Sequence, residues 1–302
     1  MAVEIAQTPA MPPAISTPHN GDGLDKIGDW SVDKLEVLKT YAKEYALILQ
    51  NQKENFHTGY IDAFAGAGEH VHKDTGAVVP GSPANALNLP HKFDEYHFID
   101  LNPERVQRLQ RLGAGRDGVT VHHGNCNEVL MREIFPRFRW EDYRRALCFL
   151  DPYGMHLDWR VMAKAGEMRS FEIFLNFPIM DINRNAKRAH VSEVDPEHRA
   201  RMDAFWGDDS WHAAMFAPSP QGNFFETLLG GSAAPDVEKR DNEAFVAAFR
   251  RRLQEVAGFK FVPKPVPMRN KRNAVVYYLF FASNNSVGNR IASHIFKAYR
   301  SE

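Results

Sequence analysis

The stretch Tyr60-Ile61-Asp62-Ala63-Phe64-Ala65-Gly66-Ala67-Gly68 carries an apolar run into a turn of small residues, and its reading decides the fold. Tyr60 to Ala65 has the composition of a buried strand. The Gly-Ala-Gly turn behind it lets backbone N–H groups approach a ligand that a Cβ would hold off. Asp62 opens the loop, where its carboxylate can accept hydrogen bonds from the loop itself or from a ligand's amino group. Phe64, Ala65, Gly66 and Gly68 are therefore candidate ligand contacts. Turns of this kind also serve packing alone, so the following strands must decide.

They do so in order. Phe98-Ile99-Asp100 ends a second apolar run in a carboxylate, with Leu101 next to it, where an acid can grip the two hydroxyls of a ribose. The alternative for Asp100 is to cap the helix that begins at Pro103. Val121-His122-His123-Gly124-Asn125 ends a third run in an amide placed to read an adenine edge; as a plain turn residue Asn125 is equally at home. The distance from Gly68 to Asp100 exceeds the roughly 20 residues of a dinucleotide fold, because His70 to Pro80 is inserted, and this disfavours a nicotinamide enzyme.

The fourth run, Cys148-Phe149-Leu150-Asp151-Pro152-Tyr153-Gly154, delivers an acid, a rigid proline and an aromatic ring to the carboxyl edge where ligands bind. Asp151 and the Pro152 carbonyl can accept hydrogen bonds from an amine, and Tyr153 can stack on a flat ring. Such a site positions a nucleophile rather than acting as a strong base. The competing reading is a strand-ending turn with Tyr153 packed over it.

Working outward, strands at Tyr60 to Ala65, Tyr96 to Asp100, Val119 to His122, Ala146 to Leu150 and Phe171 to Phe177 alternate with helical patterns. That alternation predicts an α/β fold with a mostly parallel sheet. Trp30 to Asn51 is the first amphipathic helix, with Ser31 or Asp29 as its cap. Gly81-Ser82-Pro83 starts the first crossover helix, Asn102-Pro103-Glu104 the second, Asn127 the third and Trp159 the fourth. Pro178 to Arg240 (178–240) reads as a helical insertion containing Trp206 and Trp211, which can stack on a base or, as aromatic residues in an insertion more often do, anchor a small core of its own. A helix over Asn242 to Val256, a short strand over Phe259 to Pro263, a long strand over Ala274 to Ala282 and a helix over Val287 to Tyr299 close the chain. The proline-bearing stretch 1–28 reads as a disordered arm ahead of a domain covering 29–302.

Composition narrows the function classes. The 302 residues are 44% hydrophobic and 25% charged, ordinary for a globular protein, and no apolar run approaches the roughly 20 residues of a membrane helix. Two cysteines, Cys126 and Cys148, with no secretory signal argue against a disulfide framework or zinc knuckle and for a cytoplasmic location. A net charge of −1 excludes a strongly basic nucleic-acid binder, so contacts to nucleic acid must come from local patches. Asn176, Arg184 and Lys187 behind the fifth strand, and Lys271 and Arg272 before the last, are the candidate substrate-binding groups. Arg137, Arg139, Arg144 and Arg145 are a further basic cluster. His70, His72, His122 and His123 lack supporting ligands at metal-site spacing, so no metal is expected.

The ordered set of motifs, Tyr60 to Gly68, Gly81-Ser82-Pro83, Phe98-Ile99-Asp100 and Leu150-Asp151-Pro152-Tyr153-Gly154, resembles the three-Cys-motif partner (TcmP) family over about Trp30 to Tyr277. The resemblance implies a class I S-adenosylmethionine (SAM) methyltransferase-like, Rossmann-like fold with an antiparallel last strand. It further implies SAM as cofactor and a cysteine-bearing, radical-SAM-like partner protein. Asp151-Pro152-Tyr153-Gly154 also resembles the Asp-Pro-Pro-Tyr motif of amino-methylating nucleic-acid enzymes, one proline short and with the aromatic one place early. The expectation is a SAM-dependent methyltransferase acting on an amine of a nucleic-acid base. The rival is a catalytically silent SAM- or nucleotide-binding scaffold.

Overall fold

A computed structural model describes residues 24–52, 54–185, 194–218, 237–239 and 241–300. The chain begins β1 (Asp25–Ile27), α1 (Asp29–Gln50), β2 (His57–Asp62), β3 (Glu69–His72), β4 (Val78–Pro80), α2 (Ser82–Leu87) and β5 (Glu95–Asp100). It continues α3 (Pro103–Gly113), β6 (Val119–His123), α4 (Cys126–Val129), β7 (Arg144–Leu150), α5 (Trp159–Met168), β8 (Phe171–Phe177) and α6 (Ile179–Asn185). It closes α7 (Pro196–Trp206), α8 (Trp211–Met215), β9 (Phe216–Pro218), β10 (Val237–Lys239), α9 (Asn242–Glu255), β11 (Val266–Arg269), β12 (Val275–Ala282) and α10 (Ser286–Ala298).

Seven strands form one sheet in the order β11-β12-β8-β7-β2-β5-β6. β2, β5, β6, β7 and β8 run parallel, whereas β12 is antiparallel to both β8 and β11. Every residue of β5 and β8 is buried, as expected of parallel strands covered by helices on both faces. One face packs against α1, α2, α3 and α10, and the other against α5, α7, α8 and α9. Trp206 and Trp211 are buried in the second face; Trp206 stacks on Phe245 at 5.0 Å, so the tryptophans of the insertion are core and not base-stacking groups. No helix among the described residues is long and apolar enough to cross a membrane.

Three local expectations change. Phe259 to Pro263 holds only an isolated bridge, Phe261 to Ser283, and the edge strand is β11 instead. Pro263 and Pro265 cannot donate to a ladder, whereas Val266 and Met268 alternate into the core. Helix α1 is capped by neither Ser31 nor Asp29: its N-cap is Gly28, and the Asp29 carboxylate is taken by His72 at 2.9 Å. Finally, Asp25–Ile27, inside the stretch expected to be an arm, pairs in parallel with β3, and β3 pairs with β4. The insertion after Gly68 is thus a hairpin extended to a three-stranded cap at the carboxyl edge of β2. Its base is closed by the Gly81 N–H donating to the Gly68 carbonyl at 2.8 Å, an approach so tight that a Cβ at 81 would meet that oxygen at 2.8 Å.

Candidate functional site

The loop after β2 is held in shape by the next strand. The Gly66 N–H donates to Asp100 Oδ2 at 2.9 Å and the Ala65 N–H to the Ile99 carbonyl at 2.9 Å. Gly66 and Gly68 both have positive φ, +64° and +84°, where a side chain is strained. A Cβ at Gly66 would project into open space, which leaves that side of the loop clear for a ligand. Gly66→Ala is expected to cost about 1–2 kcal/mol of stability from the left-handed backbone alone and to weaken ligand binding further. Denaturant unfolding alongside calorimetry separates the two effects.

Asp100 therefore grips protein before it grips any ligand: its other oxygen accepts the Asn102 N–H at 2.8 Å, and Arg105 Nη1 stands 3.9 Å from Oδ2. Burial raises its pKa despite these donors and the neighbouring guanidinium. It does not cap α3, because Asn102 takes that place and accepts from the N–H groups of Glu104 and Arg105. Asn125 follows β6 beside Asp100, whose carbonyl accepts the Gly124 N–H at 3.1 Å; its own side-chain oxygen caps α4 through the Asn127 N–H. Leu101 is exposed next to it.

Asp62 is completely buried; Oδ1 accepts the Phe64 N–H at 3.3 Å, the Ser82 side chain stands against the carboxyl, and Oδ2 has no well-formed hydrogen bond among the described residues. The pKa of this carboxyl is contested by its surroundings. Burial drives it up and Asp151 adds to that, against Ser82, the Phe64 N–H and Lys34; the outcome is about 7. A buried acceptor of this kind costs free energy unless a donor arrives, and a ligand's amino group is such a donor.

Strand β7 is next to β2 and carries Asp151 just past its end. Asn176, at the end of β8, donates through Nδ2 to Asp151 Oδ1 at 2.6 Å, so two residues proposed separately from sequence are in direct contact. The other oxygen is held by Lys34, which the sequence reading missed. Lys34 is 7% exposed and lies on the α1 stripe with Leu38, Tyr41 and Tyr45. A lysine in register with buried apolar residues was the available signal. Burial opposes its charge, but Asp151 and Tyr277 outweigh burial and raise its pKa, so it stays an ammonium. The carboxylate of Asp151 is 27% exposed, Pro152 is buried, and Tyr153 at 51% exposure stands at the rim. Gly154, at φ +57°, makes the turn there.

The remaining candidates are not in this cluster. Arg184 is exposed and faces Asp181 of its own helix at 3.5 Å. Lys271 bonds Asp74 at 2.9 Å and stands 3.6 Å from Asp29, while Arg272 is exposed in the same β11–β12 turn. Lys187 lies outside the described residues. His72 does acquire acidic company: Asp29, His72 and Asp74 offer ligand atoms within 4.8 Å, a grouping the sequence spacing hid, and the ammonium of Lys271 already offsets part of its negative charge. Arg137 and Arg144 are spent on Glu95, at 2.8 and 2.7 Å, and Arg145 stacks on Trp140. A groove of about 420 Å³ lined by Met131, Phe135 and Met168 opens at the amino end of β7, away from Asp62 and Asp151.

Strand order and an antiparallel last strand establish the architecture. This is a Rossmann-like, class I methyltransferase fold. Among solved structures, the chain is similar to LPL1258 of Legionella pneumophila, assigned to DUF519, with a TM-score of 0.50 and 13% identity over 88% of this chain and 92% of that one. A putative SAM-dependent methyltransferase of Listeria monocytogenes aligns at TM-score 0.38 and 11% identity, over 76% and 92% of the two chains. A SAM-dependent methyltransferase of Mesorhizobium loti aligns at 0.35 and 12%, over 76% and 92%. No protein-family model matches the sequence, and no curated protein resembles it closely enough to count as a match.

Proposed function

We propose that this chain is a cytosolic SAM-dependent methyltransferase whose acceptor is an amine of a nucleic-acid base. The observation that carries the reading is the pairing of two features at adjacent strand ends: the buried Asp62 carboxyl in the glycine loop, one oxygen of which has no well-formed hydrogen bond among the described residues, and the partly exposed Asp151 held from both sides by Lys34 and Asn176. Asp62 would take the cofactor's amino group, the loop from Phe64 to Gly68 its amino-acid part, Asp100 and Leu101 the ribose, and Asn125 the adenine. SAM supplies an electrophilic methyl group when bound. The chain's own part is to hold the amine by Asp151 and the Pro152 carbonyl, with Tyr153 against the ring, so that the nitrogen lone pair is aligned with that methyl. The proton shed by the alkylated nitrogen leaves by the solvent-facing edge of Asp151.

Calorimetry with SAM and S-adenosylhomocysteine tests the cofactor half. The wild type should bind both, and Asp62→Ala should weaken both at least tenfold, since each carries the same amino group. Failure of the folded wild type to bind either removes the assignment. Asp100→Ala is a poorer probe, because it also frees Gly66. The acceptor half is tested with labelled SAM and mixed DNA and RNA: transfer to protein or a small molecule instead would overturn it. A three-Cys-motif partner belongs to this reading on the sequence motifs alone.

One observation favours a silent binder: both Asp100 oxygens already accept backbone N–H groups, which leaves fewer lone pairs for a ribose. A binder would show cofactor affinity and no turnover with any acceptor.

A further inference from the structure

We propose that Lys34 is a positioning residue of the acceptor site, and that its charge restricts the acceptor to an uncharged amine. The inference rests on the reading of Asp151 as the group that holds the acceptor nitrogen, and it names the class of amine.

The geometry is that of a fixed ion pair. Lys34 projects from the first turns of α1, its ammonium on Asp151 Oδ2 and 5.6 and 5.3 Å from the rings of Phe149 and Tyr277. Tyr277 is itself pinned, its hydroxyl donating to the Trp30 carbonyl at 2.9 Å. Asn176 fixes the other carboxylate oxygen. With both oxygens tethered, Asp151 loses its freedom to turn, and each oxygen keeps lone-pair capacity for a further donor. A carboxylate accepts at about four sites, so roughly two stay available to an N–H donor.

Charge then selects the donor. A bare, partly buried carboxylate attracts a cation, but Lys34 already neutralises this one. An alkylammonium arriving here would meet the Lys34 cation and the cofactor's sulfonium with only Asp151 in direct contact to offset three positive groups, since Asp62, also within electrostatic reach of Lys34, would be occupied by the cofactor's own amino group. Such a group also has no lone pair until it sheds a proton. The exocyclic amine of a heteroaromatic ring is uncharged near neutral pH and offers two N–H donors, and the exposed ring of Tyr153 at the rim suits the flat body attached to it. Lys34 thus favours a neutral aromatic amine over a lysine-like one.

Binding can test this without turnover. Sinefungin carries a primary amine where SAM carries its methyl-bearing sulfonium, so its cation probes the space beside Asp151; S-adenosylhomocysteine has no charge there. The ratio of their affinities is measured by calorimetry for the wild type, Lys34→Met and Lys34→Arg, each checked for folding by thermal melting. Lys34→Met leaves Asp151 uncompensated, so its preference for sinefungin should rise at least about tenfold, whereas Lys34→Arg keeps the wild-type ratio. Lys34→Gln serves if the methionine variant does not fold. In turnover with an adenine-containing oligonucleotide, Lys34→Met should lose kcat with little change in KM. An unchanged affinity ratio in Lys34→Met overturns the inference while leaving the cofactor reading intact; absence of binding by the wild type removes both.

Discussion

Asp151→Asn should lower methyl transfer by about 10²–10³-fold, the usual loss when one well-placed polar group is removed from the reacting centre, with SAM affinity left within a few-fold. The expectation follows from what the side chain touches. Its Oδ1 takes an N–H from Asn176 and its Oδ2 the Lys34 ammonium, and its exposed edge is the proposed acceptor for an incoming amine. Asparagine keeps the shape but replaces one acceptor oxygen by a donor that faces Lys34, Asn176 or the amine, and each of these offers hydrogens already. The proposed cofactor contacts lie one strand away on the loop from Asp62 to Gly68, which is why affinity should survive. Removing the carboxylate also strands a buried lysine, so part of any loss will be structural. Lys34→Met combined with Asp151→Asn removes both charges; it should recover thermal stability without recovering turnover. A single variant with wild-type kcat would remove Asp151 from the reaction.

The sheet was legible because its information is local. Runs such as Phe171 to Phe177 are apolar throughout, and Asn102-Pro103 or Ser82-Pro83 mark helix starts within two residues. The positions of Asp62, Asp100 and Asp151 followed from the same rule, that a parallel strand presents its last residue at the carboxyl edge. What each acid does there was less legible, since an acid at a strand end looks the same whether it faces a ribose or clamps a glycine loop, as Asp100 does. The cap was hidden for another reason. β1 has three residues and gains its meaning only by pairing with β3, across the whole of α1 and β2. Basic loop residues were the least readable: nothing in the spacing of Lys271 says that Asp74 and Asp29 are waiting for it, nor does Arg144 announce Glu95.

The second large effect concerns stability and pH, and it arises on the opposite face of the sheet from α5. Glu172, in β8, is buried against α1 and α10, with Tyr41 and Ser283 donating to its oxygens and Gly288 so close that a Cβ there would lie 2.4 Å from Oε1. Burial drives its pKa up; Tyr41, Asn285 and Ser283 pull it back, leaving it at about 7 against an ordinary 4.5. A carboxyl raised on folding binds its proton more tightly in the native state, so its stabilising contribution is complete below pH 4.5 and is lost as pH rises to about 7. At about 1.4 kcal/mol per unit the loss is on the order of 3 kcal/mol. Asp62, raised from 3.8 to about 7, adds to it with the same sign. Glu95 works the other way: burial would raise it, but Arg137, His97, Arg144 and His57 hold it at about 2, and that stabilisation disappears as pH falls from 4.5 towards 2. Taken together, these three carboxyls put the maximum at roughly pH 4, where Glu95 is ionised in the fold and Glu172 and Asp62 keep their protons. Glu172→Gln keeps a neutral side chain of the same shape among hydroxyls that can rotate to accept from it. Urea unfolding should find the variant close to wild type at pH 4.5 and more stable at pH 8, with the gap opening between. Parallel curves across that range would mean that Glu172 does not change its ionisation on folding, and that the alkaline slope belongs to the other raised carboxyls, Asp62 and Asp100.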